Sequence, residues 1–295
     1  MDNFESQFQP ERKEGNPLEE NLVSYFQKYD SELVEKYGED EYRKKLEEIE
    51  LKLRCLPIAH STNIKDIVPI LQSGLKPFSH RGEKNYAKSA IFKYDHQYGL
   101  DNYVFAEIGH CPSYGPEKGR VTILIDDSVA EQSGSFFTFH DLTGVLLASE
   151  QHRQREERYT PDPYADRIKQ QYYQSKLPLS AAYGILARTF LKSGKTLEQF
   201  FQDKYTPFPP AYDPDFTNTN HGSPEIKIGG VVSPDKFIGY VVKDEETRQA
   251  LLVHGIAEEK IILSTDPTQE KKLIYDYKKN LSPSLTKSSE PAKTG

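Results

Sequence analysis

The chain has 295 residues, enough for one large domain or two small ones. Its 38 basic and 45 acidic side chains leave a net charge of −7, which weighs against a duplex-DNA or anionic-membrane partner while leaving space for a local basic groove. Tyrosine (19) and phenylalanine (15) supply much of the apolar area for a core, and no run of about 18 apolar residues is present to span a membrane.

Residues 1–18 are polar, and MDNFESQFQPERKEG lacks the basic start and apolar stretch of a signal peptide. Residues 19–53 read as helical, interrupted at YGEDE (37–41), with Glu–Lys pairs at helical spacing along 41–54. LRCLPIAHS (53–61) is predicted to be a buried strand. Thr62 or Asn63 is placed to cap a helix over 64–73, and Gly74 to end it in a left-handed cap. A long polar connection at 79–102 gathers His80, Arg81, Lys84, Lys88 and Lys93 around Tyr86, Tyr94 and Tyr98. NYVFAEIG and RVTILIDDS (120–128) read as strands. A helix is expected within 141–156 and another over 179–205, broken near Gly194. The proline-rich stretch 206–224 cannot hold a regular element for long. Two strands around a turn follow at 225–244, then a helix at 246–254, a strand at 260–265, and a Lys-, Ser- and Pro-rich tail at 280–295 with the composition of a disordered segment. Strands scattered around non-adjacent helices predict an α+β fold rather than a regularly alternating one.

The two cysteines, Cys55 and Cys111, are both placed in strands or strand ends; they make no disulfide framework, and a reducing compartment is the default. His110, His221 and His254 have no metal-ligand spacing, so no metal is expected, and neither a P-loop nor a G-x-G-x-x-G run is present. Three features carry potential chemistry. His60 lies at the lip of a strand-to-helix step, where it can orient a ligand. Tyr103 and Tyr114 are spaced so that their rings could sandwich a flat heteroaromatic ring. Glu225 opens an apolar strand directly after the proline-rich loop, where a carboxylate can be held rigidly and stabilise a developing cation or bind a sugar hydroxyl.

Together these features resemble the mono-ADP-ribosyltransferases of the diphtheria-toxin and PARP type. The resemblance rests on His60-Ser61-Thr62 ahead of IVPILQSGLKP (67–77), on Tyr103 and Tyr114 with ten residues between them, on YVFAE, and on Glu225 within SPEIKIGGVVSPDKFIGYVV. It covers about residues 52–265. It implies a split β-sandwich core over 52–270 with an insert at about 130–205, a helical preface over 1–51 and a tail at 280–295. It also implies transfer of ADP-ribose from NAD to a protein, with release of nicotinamide. His60 would bond the adenosine-side ribose, the backbone at Ser61 would anchor the nicotinamide amide, Thr62 would belong to the same NAD-binding stretch, and Tyr103 and Tyr114 would stack around the nicotinamide. Glu225 would bind the nicotinamide ribose hydroxyl and stabilise the oxocarbenium-like centre, and the loop 206–222 would meet the target. Such enzymes are often toxins or effectors, so the target could be a host protein, and the protein could be cytoplasmic or delivered into a host cell without a signal peptide.

Three positions depart from the family's pattern. Ser61 stands where the family has glycine, and Ser223 stands where the arginine-modifying branch has Glu or Gln. Arg54, expected on the His60 strand, is the rival if the site follows the arginine-based branch. Two other functions remain open on this scaffold: modification of a nucleic acid, served by the basic cluster at 80–98, and protein capture without chemistry.

Overall fold

A computed structural model describes residue 27 and residues 30–81, 95–96, 99–109, 118–138, 176–194, 196, 198–199, 225–266 and 269–282. Its eight strands are β1 (Ile58–Asn63), β2 (Tyr103–Ile108), β3 (Arg120–Ile125), β4 (Phe136–Thr138), β5 (Leu177–Pro178), β6 (Glu225–Gly229), β7 (Phe237–Val242) and β8 (Ile261–Leu263). They form one sheet in the order β5-β4-β6-β2-β1-β3-β7-β8. Every pairing is antiparallel except β7 with β8. The described residues include the helices α1 (Glu39–Leu53), α2 (Ile67–Ser73), α3 (Ala182–Ser193), α4 (Glu245–Val253) and α5 (Glu270–Leu281), and residues 30–37 ahead of α1 are helical as well. The fold is α+β, as expected.

The sheet divides along β2. Its first four residues, Tyr103–Ala106, pair with β6, whereas Glu107 and Ile108 pair with Ala59 and Ile58 of β1. Past Ala59, β1 leaves β2 and continues along β3 through Asn63. One strand therefore joins two half-sheets, and a gap opens beside it between His60–Asn63 and Tyr103–Ala106.

One face of the sheet holds the main core. Ile58, Val104, Ile123, Ile226 and Ile228 meet α3 through Ile185, Leu186 and Phe190, and α1 through Leu53. Helix α3 is buried at every position from Ala182 to Leu191, so it is the central helix of the fold. Gly194 ends it with φ 67°, the left-handed cap that favours glycine. The segment expected as a helical insert therefore gives β4, β5 and α3 to the core; the helix expected within 141–156 lies outside the described residues. Helix α5, absent from the sequence-based expectations, packs against β7. There Tyr277 donates to the Ile238 carbonyl, and its ring lies where a Cβ on Gly239 would approach to 2.7 Å.

The predicted strand 53–61 is corrected. Helix α1 runs through Leu53, and the turn that follows is held by Cys55 N–H on the Lys52 carbonyl and Leu56 N–H on the Leu53 carbonyl. Arg54 therefore caps α1, pairs with Glu50 at 2.6 Å and lies over the Tyr183 ring. It is not on the strand of His60, because the i to i+4 pairing that favours the helix extends one turn beyond Leu51. Cys55 is buried in the same turn rather than in a strand, and burial pushes its thiol up.

Candidate active site

Strand β1 delivers His60, and two stops fix where it ends. Asn63 accepts from the Lys65 N–H at 3.1 Å, capping a short 3-10 turn over Ile64–Asp66 before α2 begins. Of the two cap candidates, Asn63 takes the role, and Thr62 remains on the strand, half-buried. At the far end of α2, Gly74 has φ 82°, and a Cβ there would lie 2.4 Å from the Val232 carbonyl. The backbone needs glycine twice over, for its dihedral and for the close approach. Leu75 and Val232 exchange both hydrogen bonds at 2.9 Å, which ties the exit of α2 to the segment after β6.

His60 reaches across the gap in the sheet. Its Nδ1 lies 2.6 Å from the carbonyl oxygen of Phe105. A carbonyl only accepts, so Nδ1 carries the hydrogen, and in the neutral ring Nε2 is the accepting atom. The imidazole thus occupies the place of a missing strand partner and is fixed in orientation by it.

On β6 the side chains of Glu225 and Lys227 share a face. Register puts Lys227 opposite Phe105 of β2 and Phe136 of β4, and Glu225 opposite Thr138. Lys227 is fully buried, its ammonium 4.1 Å from the centre of the Phe105 ring and ion-paired with Glu225. A buried ammonium without a counter-charge would cost several kcal/mol and tend to lose its proton. The Glu225 carboxylate supplies that charge, and the ring adds an attraction on the order of 2 kcal/mol. Lys176, just before β5, stands 4.8 Å over the Phe136 ring; burial first, and repulsion from Lys227 second, hold its ammonium below the ordinary lysine range. Tyr103 meets Phe136 edge-on at 5.1 Å. Among the described residues, the face is therefore built from rings and lysines, with the Glu225 carboxylate at its edge and Glu107 further along β2.

His60, Phe105, Lys227 and Glu225 form one run of contacts across the division of the sheet. Tyr103 is paired with Gly229, four positions along β6 from Glu225, or about 13 Å at a strand's rise per residue. It belongs to the same face but to its other end. Ser61, on β1, accepts from Arg120 Nε at 2.5 Å, and Arg120 is buried at the start of β3. The hydroxyl at the position expected to be glycine thus holds a buried guanidinium.

Tyr114, Ser223, the loop 206–222, Cys111, His110 and His221 lie outside the described residues, as do Lys84, Lys88 and Lys93 with their tyrosines. His80 and His254 are exposed. Among the described residues, no group of three His, Cys, Asp or Glu is placed to hold a metal ion, and no helix is long and apolar enough to cross a membrane. Sequence reasoning missed Lys227, Phe105, Phe136 and Arg120. The alternation in EIKIG was a visible signal for Lys227; the others depend on cross-strand register.

No protein-family model matches the sequence. No curated protein matches it either. Among solved structures, the chain is similar to Thermus sp. 2.9 DarT in complex with ADP-ribosylated ssDNA, at 12% identity and a TM-score of 0.39, over 72% of this chain and 95% of that one. A likeness this loose assigns no role to any residue here, and the functional reading rests on the chain's own geometry.

Proposed function

We propose that the protein is an NAD-dependent ADP-ribosyltransferase whose cleft follows the gap in the sheet. The observation that carries this reading is that Phe105 of β2 is met twice, its carbonyl by the tautomer-fixed His60 imidazole and its ring by Lys227, the ion-pair partner of the Glu225 carboxylate. In the reaction, the bond between the ribose anomeric carbon and the nicotinamide nitrogen breaks, and its electron pair leaves with nicotinamide. The acceptor's nucleophilic atom then bonds that carbon and gives up its proton. Glu225 accepts a hydrogen bond from a hydroxyl of the ribose that nicotinamide leaves, and its charge stabilises the cationic centre. His60 Nε2 accepts from the adenosine-side ribose. The Ser61 backbone and Thr62 meet the nicotinamide amide. Tyr103 contributes stacking at the end of the face away from Glu225, Phe105 is the ring nearer the carboxylate, and Tyr114 is the second ring that the motif spacing assigns to nicotinamide.

A protein, including one from a host, is the first reading of the acceptor. The half-buried Lys176, Phe105 and Tyr103 favour a second, a single-stranded nucleic acid, because a cation beside aromatic faces suits phosphates and unstacked bases. The test is incubation with labelled NAD and either a cell lysate or single-stranded oligonucleotides. Wild type should label one of the two. Glu225→Gln should reduce labelling by about 100-fold or more, the scale for losing a group that stabilises developing charge. His60→Ala should weaken it less. No label in either acceptor, and no release of nicotinamide, would overturn the reading.

A further inference from the structure

We infer that Lys227 is a positioning residue for this reaction, keeping the Glu225 carboxylate ionised and turned along the strand face toward the cleft. This rests on the ADP-ribosyltransferase reading above and adds to it a residue beyond His60, Tyr103, Tyr114 and Glu225.

Lys227 is entirely shielded from solvent, while the Glu225 side chain keeps 15% of its exposure. The carboxylate is thus the partner that can meet a substrate, and the ammonium is the part that stays fixed. Two positions apart on one strand, they project from the same face without any turn between them. Phe105 and Phe136 flank Lys227 from the neighbouring strands, so its long side chain is confined and runs toward Glu225. The Thr138 hydroxyl donates to the Glu225 carbonyl at 3.5 Å, holding the strand start against β4. Other described groups around the pair are Lys176 ahead of β5, Tyr103 and Glu107 on the same face of β2, and His60 behind the Phe105 carbonyl. Lys176 repels Lys227 and so strengthens its demand for a counter-charge. A carboxylate held this way is ready to take a hydroxyl hydrogen bond in a geometry set before substrate arrives.

The experiment uses the full chain with Lys227→Met and Lys227→Arg. NAD cleavage is followed from about pH 3 to pH 9, the range that brackets carboxylate titration. In Lys227→Met the acid limb should move up by about one pH unit or more, as expected for a carboxylate losing an adjacent cation. Turnover at neutral pH should fall, with KM for NAD little changed, and Lys227→Arg should restore the limb. A folded Lys227→Met with the wild-type limb and turnover would overturn the inference.

A second readout needs no catalysis. The Glu225 carboxyl carbon, identified by its loss in Glu225→Gln, is titrated by NMR in glutamate-labelled protein. A wild-type midpoint below the ordinary glutamate value of about 4.3 supports the inference, and a midpoint at or above it overturns it. This holds whether or not Lys227→Met folds. If wild type cleaves no NAD, the transferase reading falls while the titration still decides the pair.

Discussion

Ser61 shows how one side chain can belong to two arguments. Against the family's pattern it is a departure, because a Cβ stands where glycine would let the backbone approach a ligand. In the folded chain its hydroxyl accepts from Arg120, a guanidinium with 8% exposure. Removing that acceptor leaves a buried cation short of a hydrogen bond, and glycine also loosens a strand. Ser61→Gly should therefore destabilise the protein by about 1–3 kcal/mol, read from urea unfolding midpoints. If stability is unchanged, Arg120 does not depend on the hydroxyl. The strand positions of His60 and Glu225 were legible in the sequence because each sits beside a boundary the chain announces, a capped helix after one and a proline-rich stretch before the other. Arg120 and Phe105 were not, since their roles arise only when β3 and β2 are laid beside their partners.

At the level of elements, the chain announced those with a strong local period and hid those that depend on neighbours. Helix α4, strand β7 and the break at Gly194 follow from spacing and a glycine. Strands β4 and β5, of three and two residues, are too short to carry an alternation and exist because β6 pairs with β4 and β4 with β5. The strand predicted at 53–61 failed at its start for a related reason: Leu53, Cys55 and Leu56 are buried, which suits a strand, but they are buried as the end of a helix and its turn.

The anchoring of α3 against the N-terminal helical region turns on Asp30. Arg188 donates to it through Nε at 2.6 Å and a second nitrogen at 3.2 Å, and Tyr42 donates to it at 2.5 Å. Burial works to raise the Asp30 carboxyl, but these partners outweigh it and hold the group below its ordinary 3.8, while the same contact and burial push the Tyr42 hydroxyl up. A lowered carboxylate adds stability above its unfolded value and loses it as pH falls through the folded one. Wild type should thus be more stable than Asp30→Asn at neutral pH, and the gap in unfolding midpoint should close below pH 3.8. A gap independent of pH would assign the effect to packing alone.

On the scale of the whole molecule, the helices α1 and α3 and the last helix α5 brace a sheet that is continuous on paper and divided in space. Helix α5 is secured twice. Lys278 lies 3.3 Å from Asp127, which also accepts from Tyr183 of α3, and Tyr277 holds β7. The half-sheet of β3, β7 and β8 is thereby fastened to the central helix independently of the half that carries Glu225.

That division has a mechanical consequence. Among the described residues, β1 is tied to β2 by two register pairs, Ile58 with Ile108 and Ala59 with Glu107, by the Gly109 N–H on the Pro57 carbonyl, and by the His60 imidazole on the Phe105 carbonyl. With so few ties, the line between the two half-sheets is expected to be the more compliant part of the sheet, and small rotations of one half-sheet against the other would widen or narrow it without unfolding either. Amide hydrogen exchange should register this. Peptides covering Tyr103–Ala106 and His60–Asn63 should exchange faster than β3 and β7, and NAD should slow them selectively by spanning the joint, as a clasp would. Uniform protection across the sheet, with or without NAD, would show that the joint is rigid and that the opening is fixed in width.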